Sequence, residues 1–152
     1  MASAISTETI GSRVFMQSYD HDPGATTAVL CSPDGGTTIR YADMKDYYNF
    51  AVQARPTIVG GNGVTLLEIV ASADTAFSSV TQVKTSGAIQ ADSLNDTVFL
   101  ECTAEEVAQL GATLRYVAAR LTNATNTDEV NVTYLSTRPL RPRTGLTATA
   151  IT

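Results

Sequence analysis

The sequence predicts a mainly β protein: an antiparallel, jelly-roll-like β-sandwich with one short helix and extended terminal arms. Three observations lead there. From Asp96 to Ser136 the chain reads strand, short helix, strand, hairpin-like turn, strand, and two of those strands are rich in β-branched residues. Apolar residues recur with period two: Tyr48, Phe50 and Val52 fall on one face against Asn49, Ala51 and Gln53, and Val130, Val132 and Tyr134 share another. Strong turn signals punctuate the apolar runs, as in Asp22-Pro23-Gly24, Ser32-Pro33-Asp34-Gly35-Gly36 and Gly60-Gly61-Asn62-Gly63.

Taken in order, Arg13 to Met16 and Thr27 to Cys31 are short apolar pieces separated by Asp20-His21-Asp22-Pro23-Gly24, read as a turn with His21 exposed. Thr37 to Tyr41 reads as a strand. Residues 46–55 alternate and end before Pro56, which has no N–H to give a ladder. Val64 to Ser72 is the most apolar run and suits a central strand. A loop or short helical turn follows to Ala76, then a strand over Ser79 to Lys84, and a polar connection over Gly87 to Asn95. Val98 to Cys102 is a strand. Thr103 and Glu106 form the Thr-x-x-Glu pattern of a capping box, with Val107 and Leu110 expected to point inward and Gly111 placed after the last turn. Leu114 to Asn123 and Val130 to Leu135 are the final strands. Pro139, Pro142 and Gly145 keep the remainder extended. The chain divides into an N-terminal arm with short strands (1–35), a sandwich domain (36–136) and an extended tail (137–152).

The 152 residues are 43% hydrophobic, enough for one domain with a normal core, but only 16% charged. Typical domains carry roughly 25% charge. Threonine fills the gap and makes a neutral, hydrogen-bonding surface. A net charge of −5 argues against nucleic acid as a direct partner. The charge is uneven, because Arg138, Arg141 and Arg143 follow the last acidic residue, Glu129. Cys31 and Cys102 are too few for a disulfide framework and are expected as reduced thiols, Cys102 as a small buried hydrophobe. Met1 to Gly11 lacks a basic stretch followed by an apolar run and is not read as a signal peptide. No stretch approaches about 18 apolar residues, so no membrane partner is expected.

Sites for chemistry are sought and not found. The lone histidine, His21, has no second imidazole or thiolate motif beside it to complete a metal site. No Gly-x-Ser-x-Gly elbow supports a Ser-His-Asp triad, and no phosphate-binding glycine fingerprint follows a strand. Asp92 and Asp96 read as solvated loop acids. Glu105 and Glu106 sit in the first helical turn, where they favour the positive end of the macrodipole. The expectation is therefore no enzyme, no catalytic or metal residues and no cofactor. The best interaction candidates are Arg138, Arg141 and Arg143, whose guanidinium forks can grip carboxylates while proline holds the backbone extended. An acidic partner, or the acidic body of another copy, could receive them. Tyr41, Tyr47 and Tyr48 are the alternative: aromatic rings for stacking on sugars, in a chain with no tryptophan.

The segment Phe99-Leu100-Glu101-Cys102-Thr103-Ala104-Glu105-Glu106, with Leu114-Arg115-Tyr116-Val117 and Val130-Asn131-Val132-Thr133-Tyr134, resembles capsid decoration (cement) and other auxiliary head proteins of tailed bacteriophages. The resemblance covers about a quarter of the chain and is one of local pattern. It implies a virion structural protein, made in the host cytoplasm and placed on the capsid surface. Such a protein binds the major capsid protein, forms homo-oligomers and stabilises the shell by bridging its subunits. No functional residue is carried over by it. The Leu114–Val117 stretch is also similar to late strands of discoidin-type sandwiches, which implies the alternative of a carbohydrate-binding module. A tail or neck structural protein is the other reading of such a sandwich.

Overall fold

The structure, a computed structural model, describes residues 14–21, 27–32, 38–61, 63–125 and 127–139. Its strands are β1 (Val14–His21), β2 (Val29–Leu30), β3 (Ala42–Asp43), β4 (Tyr47–Ile58), β5 (Val64–Ser72), β6 (Thr81–Thr85), β7 (Val98–Thr103), β8 (Tyr116–Asn123) and β9 (Glu129–Pro139). Among the described residues one helix, α1 (Ala104–Leu110), separates β7 from β8. Two antiparallel sheets pack face to face as a β-sandwich. The front sheet has the order β1-β9-β4-β7, and the back sheet β2-β8-β5-β6, with β3 pairing further along β8.

The sandwich arises from one long ribbon folded over itself. β4 pairs with β9 in the front sheet and β5 with β8 in the back sheet. The β4–β5 and β8–β9 connections therefore cross between the sheets side by side. Asp128 fastens this corner. Its Oδ1 accepts from the N–H groups of Gly60 at 2.7 Å and Gly61 at 3.2 Å, and its Oδ2 accepts from Thr125 N–H at 2.9 Å. Gly63 completes the corner at φ 63°, where a Cβ would lie 1.9 Å from the Ala91 carbonyl oxygen, so no larger residue fits there.

Inward residues of both sheets form a single main core. Phe50, Val52 and Ala54 of β4 and Val130, Val132 and Tyr134 of β9 meet Leu67, Ile69 and Ala71 of β5 and Val117, Ala119 and Leu121 of β8. These are the apolar phases of the period-two patterns, and each large side chain removed from water contributes about 1.5–3 kcal/mol. The Phe50 and Tyr134 rings meet edge to face at 5.0 Å. α1 opens on a complete capping box: Thr103 Oγ1 accepts from Glu106 N–H at 3.2 Å, and Glu106 Oε2 accepts from Thr103 N–H at 2.9 Å. Its Val107 is buried in the core.

Several sequence expectations are corrected. Asp20 and His21 belong to β1, not to a turn, because residues 14–21 pair with β9 along their whole length. His21 is fully buried rather than exposed, and Ser32 N–H approaches its Nδ1 at 3.2 Å. Residues 38–41 precede β3 without forming a strand. β4 runs through Pro56 to Ile58: its pairing with β7 stops at Ala54, and its register with β9 shifts between Pro56 and Ile58, so the missing N–H costs little. Leu110 is 49% exposed, not inward. Gly111 follows the helix in an extended conformation, φ 176°, not in the left-handed cap. The stretch read as an N-terminal arm supplies β1 to the front sheet and β2 to the back sheet. β9 carries the last strand to Pro139, past the boundary at 136. As expected, Cys31 and Cys102 are buried and not joined in a disulfide.

Candidate binding face

The two outer faces of the sandwich are treated differently. On the back sheet, Val70 of β5 and Ala118 of β8 point outward, yet both are fully buried. The connection between β5 and β6 folds over them and inserts Phe77, and Leu30, Ile39, Val80 and Tyr116 close round this second small cluster. Phe77 takes φ 52° to do so, a conformation unfavourable for a bulky residue and sustained by its burial. Beside this cluster, Glu68 is 4% exposed and its carboxylate receives Arg120 Nε at 2.7 Å.

The front sheet has no such cover among the described residues. Register places its outward side chains in rows: Met16, Leu135, Ala51 and Glu101 across the four strands, then Ser18, Thr133, Gln53 and Phe99 beside them. Met16 is 57% exposed and Phe99 54%. Beside Met16 on β1 and β9 runs a polar ladder of hydroxyl and amide groups that ends on the Asp20 carboxylate. Thr133 Oγ1 donates to Ser18 Oγ at 2.9 Å, Ser18 Oγ to Asn131 Oδ1 at 3.0 Å, and Asn131 Nδ2 to Asp20 Oδ1 at 2.9 Å. Short hydroxyl and amide side chains already tied to one another lose little rotamer freedom when a partner docks.

Where this face meets α1 it deepens into a groove of about 560 Å³. Ala51, Leu135 and Phe99 make its apolar floor and edge, and Asn49 Nδ2 donates to Thr137 Oγ1 at 3.2 Å on one side. Three carboxylates, Glu101, Glu105 and Glu106, line it against a single lysine, Lys84. Lys84 Nζ lies 2.5 Å from Glu106 Oε1; this bond and the Thr103 N–H hold the Glu106 carboxyl below its usual range, and the same pair raises Lys84. The Tyr48 hydroxyl bonds to Glu105, which holds the phenol above its ordinary range. Among the described residues no cation pairs with Glu101.

The sequence-predicted residues divide among these places. Arg138 stands at the groove, its guanidinium 5.4 Å from the centre of the Tyr48 ring, so one member of the arginine set and one member of the tyrosine set form a cation–π pair. Arg141 and Arg143 lie outside the described residues. Tyr47 is buried at 5% exposure, and its ring offers no stacking surface. Tyr41 is 38% exposed, 5.4 Å from Tyr116 and 6.2 Å from Phe77, beside the back sheet. Tyr41 and Tyr48 therefore flank different sheets and form no common platform. Phe99 and Met16 escaped the sequence reading. The available signal is phase: Val98, Leu100 and Cys102 make the inward series, which leaves Phe99 a lone aromatic on the polar side of β7.

Among the described residues, no group of three or more His, Cys, Asp or Glu side chains is placed to hold a metal ion, and no helix is long and apolar enough to cross a membrane. No protein-family model matches the chain, and no curated protein is significantly similar to it.

Proposed function

We propose that this chain is a non-enzymatic structural protein of a phage virion, a decoration or cement subunit that docks on the major capsid protein through the outer face of its front sheet. The observation that carries the docking face is the asymmetry of the sandwich. The back sheet is covered by the chain's own Phe77 cluster, while the front sheet presents Met16, Phe99 and a hydroxyl and amide ladder. A uniform surface that exposes large apolar side chains beside polar groups fits a protein partner. The choice of a capsid as that partner comes from the resemblance of residues 99–106, 114–117 and 130–134 to auxiliary head proteins. Repetition over a shell makes weak single contacts sufficient for stable occupancy.

The direct test is the copy number of the chain in purified particles, by quantitative mass spectrometry against the most abundant shell protein. The reading expects hundreds of copies in a simple ratio to that protein. A few copies would replace it with a tail or neck role, and absence from particles would end it. Phe99→Ser and Met16→Ser should lower occupancy on particles at unchanged thermal stability, since both side chains are already exposed. Unchanged occupancy in both would remove the front face from the proposal.

A further inference from the structure

We infer that the groove between the front sheet and α1 receives arginines Arg141 and Arg143 of a second copy, so that the chain self-associates by exchanging its C-terminal stretch. The inference does not rest on the capsid reading, because it concerns the chain alone in solution.

The groove is electrostatically and sterically matched to a guanidinium. Of its three carboxylates, Glu106 is satisfied by Lys84 and by the helix cap, whereas Glu105 bonds to the Tyr48 hydroxyl and neither it nor Glu101 makes an ion pair among the described residues. Exposed Phe99 and the small floor residue Ala51 give a planar group an apolar surface to lie against. Arg138 already shows this chemistry at the rim, where its guanidinium lies over the Tyr48 ring.

The chain's own sequence supplies the occupant. β9 ends at Pro139 next to this groove, since Pro139 pairs with Tyr47, and Leu140-Arg141-Pro142-Arg143 follows at once. Two further guanidiniums, with no acidic residue after Glu129, leave an otherwise acidic chain of net charge −5. Arg138 itself takes φ 55°, so the chain changes direction at the rim of the groove just before this proline-flanked pair of arginines. Arg138 already occupies the Tyr48 wall of its own groove, so the groove of a second copy is the receiver assigned to the next two arginines. Met16 and the Ser18–Thr133 ladder of the front sheet lie outside this groove.

Sedimentation velocity on the full chain over a concentration series at low salt tests this. The expected result is a sedimentation coefficient that rises with concentration and falls back to the monomer value near 0.5 M salt, where exposed charge pairs are screened at roughly 4 Å. R141S/R143S should remain monomeric at every concentration. R141E/R143E and E101K/E105K should each be monomeric alone and associate when mixed, a rescue that loss of folding cannot imitate. A synthetic peptide spanning Thr137 to Gly145 should dissociate the wild-type assembly. A wild-type chain that stays monomeric throughout would overturn the inference. So would association undiminished in R141S/R143S, or a peptide without effect.

Discussion

The hydroxyl of Tyr134, on the front sheet, accepts the backbone N–H of Ala119 on the back sheet at 2.7 Å, across the middle of the core. β8 pairs with β2 at Leu121 and Arg120 and with β3 at Val117 and Tyr116. Ala119 lies between those two short partners, and its N–H is satisfied by a side chain instead of a strand. One phenol thereby ties the sheets together and removes a buried unpaired donor. Tyr134→Phe keeps the ring and its edge contact with Phe50 but leaves that donor buried. The expected loss is about 1–3 kcal/mol, read as a lower midpoint in urea at unchanged slope. An unchanged midpoint would show that the bond carries no net stability.

Asp128 makes the fold corner sensitive to acid. Burial alone would raise its carboxyl, but the N–H groups of Thr125, Gly60 and Gly61 outweigh that and hold it below its ordinary value of 3.8. A carboxyl depressed in the folded state contributes its full stability above the unfolded value. That contribution is lost as pH falls below about 4 and through the folded value. Asp128→Asn retains one acceptor oxygen yet places an amide nitrogen where an N–H must be accepted. It should lose stability at pH 7 and show a shallower fall between pH 5 and pH 2 than wild type, in parallel urea titrations. Equal slopes in both proteins would remove Asp128 as a source of acid sensitivity.

Glu68 and Arg120 face each other in register on β5 and β8, and the glutamate is the more deeply buried of the two. Such a pair is costly to break and cheap to replace, because removing one partner strands the other charge in a poor solvent. Arg120→Met alone should destabilise by about 3 kcal/mol. Glu68→Leu with Arg120→Met should recover most of that loss by packing against the Val70 cluster. A double-mutant cycle by chemical denaturation separates the two effects. An additive double variant would show that the pair is not coupled.

The alternating phases were legible because each is a local property of a strand facing one core. Phe50, Val52, Val130, Val132 and Tyr134 lie inward as their spacing requires, whereas Tyr48, read on the face of Phe50 and Val52, stands at the groove instead of in the core. The capping box of Thr103 and Glu106 was legible for the same reason, since both partners lie within one turn. What depends on distant pairing was not. His21 stands in a run of turn-forming residues, and its recruitment into β1 depends on pairing with Val130. The meeting of Arg138 with Tyr48 depends on Tyr47 pairing with Pro139. Which sheet the Phe77 loop covers is not encoded by any local pattern. Tyr47 and Tyr48 look equivalent in sequence, yet one is buried and the other stands at a groove.

The two thiols give a measure of how rigidly the core is held. Burial pushes the Cys31 thiol well up, and burial first, then the nearby Glu106 carboxylate, pushes Cys102 up to about 12. A thiol in that range carries almost no thiolate at pH 8, and the thiolate is the nucleophile. Both cysteines also lie in the main core, Cys102 between β4 and the start of α1, so a reagent must wait for the sandwich to open. Native chain should therefore react with a disulfide reagent at pH 8 at least about 100-fold more slowly than chain in urea, in keeping with opening that draws on much of the global stability. The slow phase should accelerate in Tyr134→Phe by the same factor that its unfolding equilibrium shifts, if reaction proceeds through global opening. Fast labelling of one thiol in the native wild type would instead identify a local opening. Mass mapping of the labelled residue would then show whether β2 or the β7–α1 edge is the weaker part of the sandwich.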